Sequence, residues 1–430
     1  MGADQPVTAG AGQDAPRAPT FSGQFLGCKV SQTDLAQLRE RLAADGLHEI
    51  AAGGDVHVVN GCAVTSEAVS KTRQAIRRAL ANGSSHVVVT GCAARLAGSR
   101  LADLGDRVHV VADASEATPA AVGDLLGDLG CRGVRPATVR RNRTRAFVKV
   151  QDGCSFQCSF CVIPLVRGPS RSRTLADVLG DVRRRVADGH REVVLTGVNI
   201  GLFRDGKGRL ADVLRAVGAV EGVERLRLSS IEVDHLDARV VAALAETTAA
   251  LPHLHVPMQS GDDGVLRAMR RRAPAARYAE RIAAARAAIP GLNVTADVIV
   301  GFPGEDAAAF ARTLDLVRET GLTRVHAFPY SPRPGTRTGA DDPVPAPVKR
   351  ERADELRAVA DAQGRAWRAR RVGTDDRVLV ERVGQSGLAS GYARDYTAWR
   401  VLAPDAVPGA IVTAVAVAAD DEGIVARSLQ

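Results

Sequence analysis

Aromatic residues make up only 3% of this 430-residue chain, with two Trp and four Tyr. Successive ring-on-base stacking, the device of many single-strand binders, is therefore not its main resource. Long apolar runs are missing as well. The longest, near AIVTAVAVAA (410–419), is too short to cross a bilayer. The opening stretch MGADQPVTAGAGQDAPRAPT has no basic n-region and no apolar h-region. It is expected to be a disordered leader (1–20) rather than a secretory signal, with a cytoplasmic location and no membrane partner. Seven cysteines in such a chain argue against a disulfide framework and for metal binding or thiol chemistry. Lysine is scarce too, since nearly all of the 57 Lys plus Arg are Arg, at a net charge of +8. The Arg clusters RGVRPATVRRNRTR (132–145) and RGPSRSR (167–173) fit either solvated linkers and helix faces or a phosphate-binding surface.

Hydrophobic residues account for 45% of the chain, enough for several folded domains. FSGQFLGC, DVHVVNGC and HVVVTGC each read as a short strand rich in β-branched residues, and RVHVVAD (107–113) as a fourth. Helical patterns at 34–46 and 66–83 separate them, the second opening on a capping Ser. This alternation predicts a doubly wound parallel α/β domain over 21–131. The first three strands each end in Gly-Cys, at Cys28, Cys62 and Cys92. Ligands of such sheets bind at strand carboxyl ends, so these three thiols are expected to converge. Six more strand candidates, at 145–150, 192–198, 224–230, 253–259, 293–302 and 324–331, predict an open (β/α)6 barrel over 145–368. Residues 132–144 are the expected basic linker. The strand-rich 369–430, with short Gly- and Asp-bearing turns, is expected to form a small β-barrel.

DGCSFQCSFCVIP (152–164) places Cys154, Cys158 and Cys161 at Cys-x3-Cys-x2-Cys spacing. A structural zinc takes four ligands, and no Cys or His completes the set nearby. Three thiolates on a tight loop suit three corners of a 4Fe–4S cubane, which leaves one iron open to a small molecule.

With Phe160 just ahead of the last Cys, and the loop following the first of six strands, this motif resembles the radical S-adenosylmethionine superfamily. The resemblance narrows with GCKVSQTD (27–34), NGCAVTSEAVSKTRQ (60–74) and TGCAARL (90–96), which are similar to the N-terminal domain of the methylthiotransferases. LTGVNIG (195–201), RLSSIE (227–232), HLHVPMQSGDDGVLRAMRR (253–271), DVIVGFPGE (297–305) and FPYSPRPGT (328–336) continue it through the radical domain. The C-terminal region is similar to the TRAM domain, an RNA-gripping β-barrel, and the whole resemblance covers about 21–430.

It implies two 4Fe–4S clusters, a radical one on Cys154, Cys158 and Cys161 and an auxiliary, sulfur-presenting one on Cys28, Cys62 and Cys92. It implies S-adenosylmethionine as both radical source and methyl donor. It places Phe160 near the adenine, Thr196, Gly197 and Asn199 at the methionine amino group, Ser229 and Glu232 at the ribose, and Gln259 facing the same cavity. Arg167, Arg171 and Arg173 would steer the cofactor carboxylate or the tRNA backbone. The implied partners are a tRNA anticodon loop, an electron donor of flavodoxin or ferredoxin type, and a sulfur source. GCKVSQ, CAVTSEAVSKTRQ and RGPSRSR look most like the branch that methylthiolates carbon 2 of threonylcarbamoyladenosine at position 37 of tRNA. The Gln-Met-Asn run of the isopentenyladenosine branch and the Pro-Lys-Asn run of the ribosomal-protein aspartate branch are absent. Two departures from the family pattern are Gly61 where Thr is usual and Ala93 where Tyr is usual. The alternative from a different class is an RNA-binding protein with structural metal sites. Cys131 matches no ligand and reads as a spare thiol, and His235, His253 and His255 are expected to be structural. The GFPGE turn (301–305) lacks the Lys-Ser/Thr of a P-loop.

Overall fold

A computed structural model describes residues 18–96, 98–112, 118–133, 135–138 and 143–429. The leader expected at 1–20 lies outside these residues except for its last three, and the linker's 134 and 139–142 lie outside them too.

The N-terminal domain comprises β1 (Thr20–Phe25), α1 (Lys29–Ala44), β2 (His48–Glu49), β3 (Val56–Gly61), α2 (Ser66–Ala81), β4 (His86–Gly91), α3 (Cys92–Arg95), β5 (Val108–Val110) and α4 (Thr118–Asp128). Its sheet is wholly parallel, in the order β2-β1-β3-β4-β5. Helices cover both faces. Leu35, Leu38 and Leu42 of α1 pack with Val122 and Leu126 of α4 on one, and Ala75, Ile76 and Ala79 of α2 pack on Val59, Val87 and Val89 on the other. The doubly wound expectation holds, with two local differences. The first helix starts at Lys29, directly behind Cys28, and Thr65 rather than Ser66 caps the second, accepting from the Ala68 amide at 3.1 Å.

The central domain runs β6 (Arg145–Asp152), α5 (Ile163–Arg167), β7 (Arg171–Ser172), α6 (Leu175–Ala187), β8 (Glu192–Gly197), α7 (Leu210–Gly218), β9 (Arg225–Leu228), α8 (Ala238–Glu246), β10 (His253–His255), α9 (Asp263–Ala268), α10 (Ala275–Ala288), β11 (Asn293–Val300), α11 (Ala307–Glu319), β12 (Arg324–Pro329) and α12 (Ala346–Ala369). Parallel pairing joins β6-β8-β9 and β10-β11-β12, and a parallel bridge between Leu226 and Ala250 carries the curve across the gap. The six strands form an open barrel, as the sequence predicts. Alternation sorts its residues. Val148, Val193, Leu195, Leu226, Leu254, Val294 and Ala296 share one apolar core with the surrounding helices. Lys149, Gln151, Glu192, Thr196, Arg225, Arg227, Ser229, His253 and Thr295, on the opposite pleat, are buried and polar. The lumen is therefore a polar chamber.

The last domain is a closed barrel of β13 (Asp375–Val383), β14 (Leu388–Tyr392), β15 (Ala398–Leu402), β16 (Ile411–Ala419) and β17 (Ile424–Ser428) in the order β13-β14-β15-β17-β16. Sequence patterning finds four of these strands and misses β14, LASGY, whose small residues look like a turn. They serve close approach instead, since a Cβ on Gly391 would fall 1.9 Å from the Leu379 carbonyl oxygen.

This barrel docks on the amino ends of the central strands. Arg225 opens β9 and donates to the carbonyls of Arg377, Tyr392 and Ala393, while Arg227 reaches those of Ala393 and Arg394. Asn293 opens β11 and donates to the Asp395 carbonyl, and Arg145 opens β6 and donates to the Tyr396 hydroxyl. Tyr396, at a φ of 66°, stacks on Tyr392 and lies against His253. A loop of the C-terminal barrel thus plugs the lumen from below.

Both Arg225 and Arg227 are held by buried Glu192, with Nε to carboxylate distances of 2.5 and 2.9 Å. Burial pushes the Glu192 carboxyl up, but Arg227 and Arg225 outweigh it and bring the pKa down to about 2. Its folded pKa lies below the ordinary 4.5, so its stabilisation is present above pH 4.5 and is lost as pH falls toward 2. Glu192→Gln leaves two buried guanidinium groups without their counter-charge. A loss of about 3–5 kcal/mol is expected, read as a lower unfolding temperature and easier proteolytic separation of the C-terminal barrel.

Candidate functional site

Two groups of cysteines meet where the N-terminal sheet faces the carboxyl ends of the barrel strands. Cys28 caps α1, Cys62 follows β3, and Cys92 opens α3 directly after β4. Three left-handed or crowded glycines let these turns come together. A Cβ on Gly27 (φ 135°) would sit 2.9 Å from the Cys62 Cβ, and one on Gly91 (φ 81°) would sit 2.7 Å from the Gly61 carbonyl. Gly61 is crowded, since a Cβ there would lie 2.7 Å from Thr72 Cγ2 and 2.8 Å from the Ala93 Cβ. The two unusual small residues face each other. Cys62 and Cys92 are buried and Cys28 is exposed, and the three thiols are within electrostatic reach of one another. Burial pushes the Cys92 thiol up to about 12.

Cys154, Cys158 and Cys161 lie on the loop between β6 and α5. Gly153 (φ 69°) makes its turn, where a Cβ would meet the Pro169 carbonyl at 2.1 Å. The Cys154 amide donates to the Gly168 carbonyl at 3.1 Å, and Ser159 anchors the loop to the end of α9 through Ala268 and Met269. These thiols also sense one another electrostatically, and burial brings Cys161 up to about 12. Neither cysteine trio gathers its sulfurs within 4.8 Å. Among the described residues only His255, Asp297 and His326 bring three such ligand atoms that close. One tetrahedral zinc needs sulfurs about 3.8 Å apart, given a Zn–S length of about 2.3 Å. The wider spacing suits thiolates on separate irons of a cubane. Each trio stops at three ligands, so the donor sets fit two clusters with an open iron.

Three of the expected cofactor residues, at the ends of β8 and β9, carry unpaired oxygens. Thr196 Oγ1, Asn199 Oδ1 and Ser229 Oγ are buried and have no hydrogen-bond partner. Buried polar atoms are ordinarily satisfied, so three orphans around one mouth mark a place for a polar ligand. Asn199 Nδ2 points at the Cys154 sulfur at 3.9 Å, and its amide is held by Gln151 Oε1 at 2.8 Å. Gly197 is crowded, with a Cβ placed 2.9 Å from the Gln151 carbonyl. Gln259 is held left-handed (φ 67°) and bonded through its backbone to Asp297 and Ile299. Phe160 stands edge-on to Phe302, with ring centroids 6.2 Å apart.

Four expectations shift. Glu232 is paired with Arg271, whose guanidinium also lies 3.8 Å from the Cys158 sulfur, so the carboxylate is already engaged. Arg167 is fully buried rather than available to RNA. It donates to Asp34 at 2.7 Å, to Asp152 at 2.9 Å and through Nε to the Cys92 sulfur at 3.1 Å. Arg173 braces Asp181 and the Lys149 carbonyl, both at 3.0 Å. Of the three arginines only Arg171 stays at the surface. His255, expected to be structural, joins Asp297 and His326 as a polar group in the lumen.

Sequence reasoning missed Arg167 as a link between the two cysteine groups, along with its partners Asp34, Asp152 and Lys149. Lys149 bonds Asp34 at 2.8 Å and Asp152 at 3.2 Å, closing a buried four-charge network. An apolar contact of Ala63 and Cys92 with Val162 and Val166 seals the junction beside it. Arg271 was also missed. Its sequence signal is its place at the end of HLHVPMQSGDDGVLRAMRR (253–271).

Residues 148–317 match the radical SAM superfamily, and residues 20–113 match an uncharacterized protein family, UPF0004. The chain is 34% identical to threonylcarbamoyladenosine tRNA methylthiotransferase MtaB of Chlamydia pneumoniae, over 87% of this chain and 89% of that protein. The MtaB protein of Thermotoga maritima gives the same identity and the same coverage. A tRNA-2-methylthio-N(6)-dimethylallyladenosine synthase of Sphingopyxis alaskensis is also 34% identical, covering 86% of this chain and 88% of its own length. Among solved structures, the radical S-adenosylmethionine methyltransferase TsrM of Kitasatospora setae, with tryptophan and a SAM analogue bound, superposes with a TM-score of 0.57 at 14% identity. That match covers 75% of each chain and shows a shared fold.

Proposed function

Because the chain belongs to the methylthiotransferase family of radical S-adenosylmethionine enzymes, we propose that it methylthiolates carbon 2 of N6-threonylcarbamoyladenosine at position 37 of tRNA, beside the anticodon. One observation carries the reading: two groups of three cysteines lie on either side of one domain junction, where Arg167, on the helix after the second group, bonds Cys92 of the first. In this reading residues 21–131 hold the auxiliary cluster on Cys28, Cys62 and Cys92. Residues 145–368 hold the radical cluster on Cys154, Cys158 and Cys161, and 369–430 form the TRAM-like, RNA-binding barrel. When bound, the clusters and S-adenosylmethionine supply an electron, a hydrogen-abstracting radical, a methyl group and sulfur.

The chain's own residues hold, orient and shield. Burial keeps the free Cys92 and Cys161 thiols protonated, so loading each site releases protons. Thr196 and Asn199 offer oxygens to the cofactor's amino group, and Ser229 offers its hydroxyl to the ribose. Arg271 neutralises Glu232 and lies beside Cys158. Gln151 keeps Asn199 in place. The plug around Tyr396 closes the lumen's lower end to water.

The threonylcarbamoyl branch is supported by GCKVSQ at the first cysteine and by the MtaB relatives. The equal identity to a dimethylallyladenosine synthase makes isopentenyladenosine the second reading. Mass spectrometry of tRNA nucleosides from a deletion strain decides between them. The expected result is loss of methylthio-threonylcarbamoyladenosine alone, and loss of only the isopentenyl analogue overturns the assignment.

A further inference from the structure

Lys29 follows Cys28 directly and opens α1. Its side chain reaches the polar lumen of the barrel, where Tyr396, Arg227 and Asp297 are its electrostatic neighbours. Its ammonium donates one hydrogen bond, 3.3 Å long, to the backbone carbonyl of Ser229, two hundred residues away in sequence. No carboxylate of the described residues lies within 4 Å of it. Its electrostatic neighbours are Tyr396, the cations Arg145 and Arg227, and Asp297. A partly buried ammonium with one long hydrogen bond and no carboxylate in reach is under-paired, an arrangement that an anionic ligand would relieve.

The walls around it narrow the choice of anion. His255, Asp297 and His326 bring their side-chain N and O atoms within 4.8 Å of one another. That grouping would also attract a divalent cation, but Lys29 and Arg324 are among the charges facing His326 and oppose one. Both nitrogens of His255 are already engaged, Nδ1 with the Thr295 hydroxyl at 2.9 Å and Nε2 with Asp297 at 3.2 Å. The group is therefore suited to hydrogen bonding. Its carboxylate accepts, its imidazoles accept or donate, and the Lys29 ammonium is within electrostatic reach of Asp297 and His326.

We propose that Lys29 reads the carboxylate of the threonylcarbamoyl arm, with Asp297 and His326 taking the arm's urea N–H and hydroxyl groups. Lys29 is then a specificity-determining residue. This rests on the substrate assigned above. An isopentenyl arm, being a hydrocarbon, would cover the ammonium without giving it an anionic partner, so the same residue selects against it. The position suits the task, because the residue that senses the arm is joined by a peptide bond to a residue of the auxiliary trio.

The test uses anaerobically prepared, cluster-loaded full-length protein and fluorescent anticodon stem-loops. One carries threonylcarbamoyladenosine at position 37 and the other its methyl ester. For the unaltered protein, anisotropy is expected to show the free acid binding about 10-fold or more tighter than the ester, the worth of one charge-assisted hydrogen bond. In Lys29→Met that preference collapses to about twofold or less, and in Lys29→Arg most of it returns. S-adenosylmethionine affinity and iron content stay unchanged in both variants, which also shows that they fold. Retention of the acid-over-ester preference in Lys29→Met overturns the proposal. So does a drop in S-adenosylmethionine affinity, which would assign the ammonium to the cofactor's carboxylate. If the unaltered protein does not bind the acid stem-loop but binds an isopentenyl one, the substrate assignment fails instead.

Discussion

Cys158→Ala is expected to abolish 5′-deoxyadenosine formation, whereas Cys92→Ala is expected to leave it and abolish only methylthio transfer. Each variant should lose about four of about eight irons, one cubane of two. The asymmetry follows from the geometry. Cys158 stands on the loop behind β6, beside Arg271, and shares that loop with Cys154, which faces Asn199 where the cofactor is proposed to sit. Cys92 opens α3 in the other domain, and its sulfur faces Arg167 across the junction. Anaerobic reconstitution, iron analysis and chromatography of the nucleoside products measure both halves. Cofactor cleavage at the normal rate in Cys158→Ala would reverse the assignment of the two sites. A colourless protein with stoichiometric zinc would instead favour the RNA-binding alternative.

Arg167→Met should be the most destabilising single change at the junction. The guanidinium is 1% exposed and holds Asp34, Asp152 and the Cys92 sulfur at once. Removing it leaves Lys149 as the cation bonded to both carboxylates, with the Gly153 amide also donating to Asp152. The expected loss is about 3–5 kcal/mol, the usual cost of breaking a buried ion pair from one side. Arg167→Lys should recover only part of it, because a single ammonium cannot span three separate acceptors. A second effect distinguishes this role from plain scaffolding. The guanidinium places positive charge against a sulfur of the auxiliary trio, which favours a reduced, more negative cluster. Redox titration followed by electron paramagnetic resonance should find the auxiliary midpoint lowered in Arg167→Met and the radical-site midpoint nearly unmoved. An unchanged auxiliary midpoint would reduce Arg167 to a structural ion pair.

The RGPSRSR segment shows why local reading misplaces such residues. Three arginines in seven positions look alike in sequence, yet one is buried between two domains, one braces α6 through Asp181, and one is exposed. Nothing in their spacing separates these fates. Asp34 is similar, reading as one more acidic residue of a helical pattern until the domains close on it.

What the sequence determined by itself is local. Cys154, Cys158 and Cys161 sit within one turn-rich loop, so their spacing nearly dictates their convergence. Cys28, Cys62 and Cys92 follow three neighbouring parallel strands, β1, β3 and β4, and alternating β and α segments bring such ends to one edge whatever surrounds them. The six central strands and the open barrel follow from the same periodicity. Tertiary structure alone decided the contacts between domains. Arg167 meets Cys92 across 75 residues and Asp34 across 133, and Lys29 reaches Ser229 across 200. Docking of the C-terminal barrel on the amino ends of the central strands belongs with these. The physical reason is range. Periodicity and spacing encode how a segment folds and which edge it reaches. Which buried charge meets which partner depends on how separately folded surfaces fit together, and no local pattern carries that.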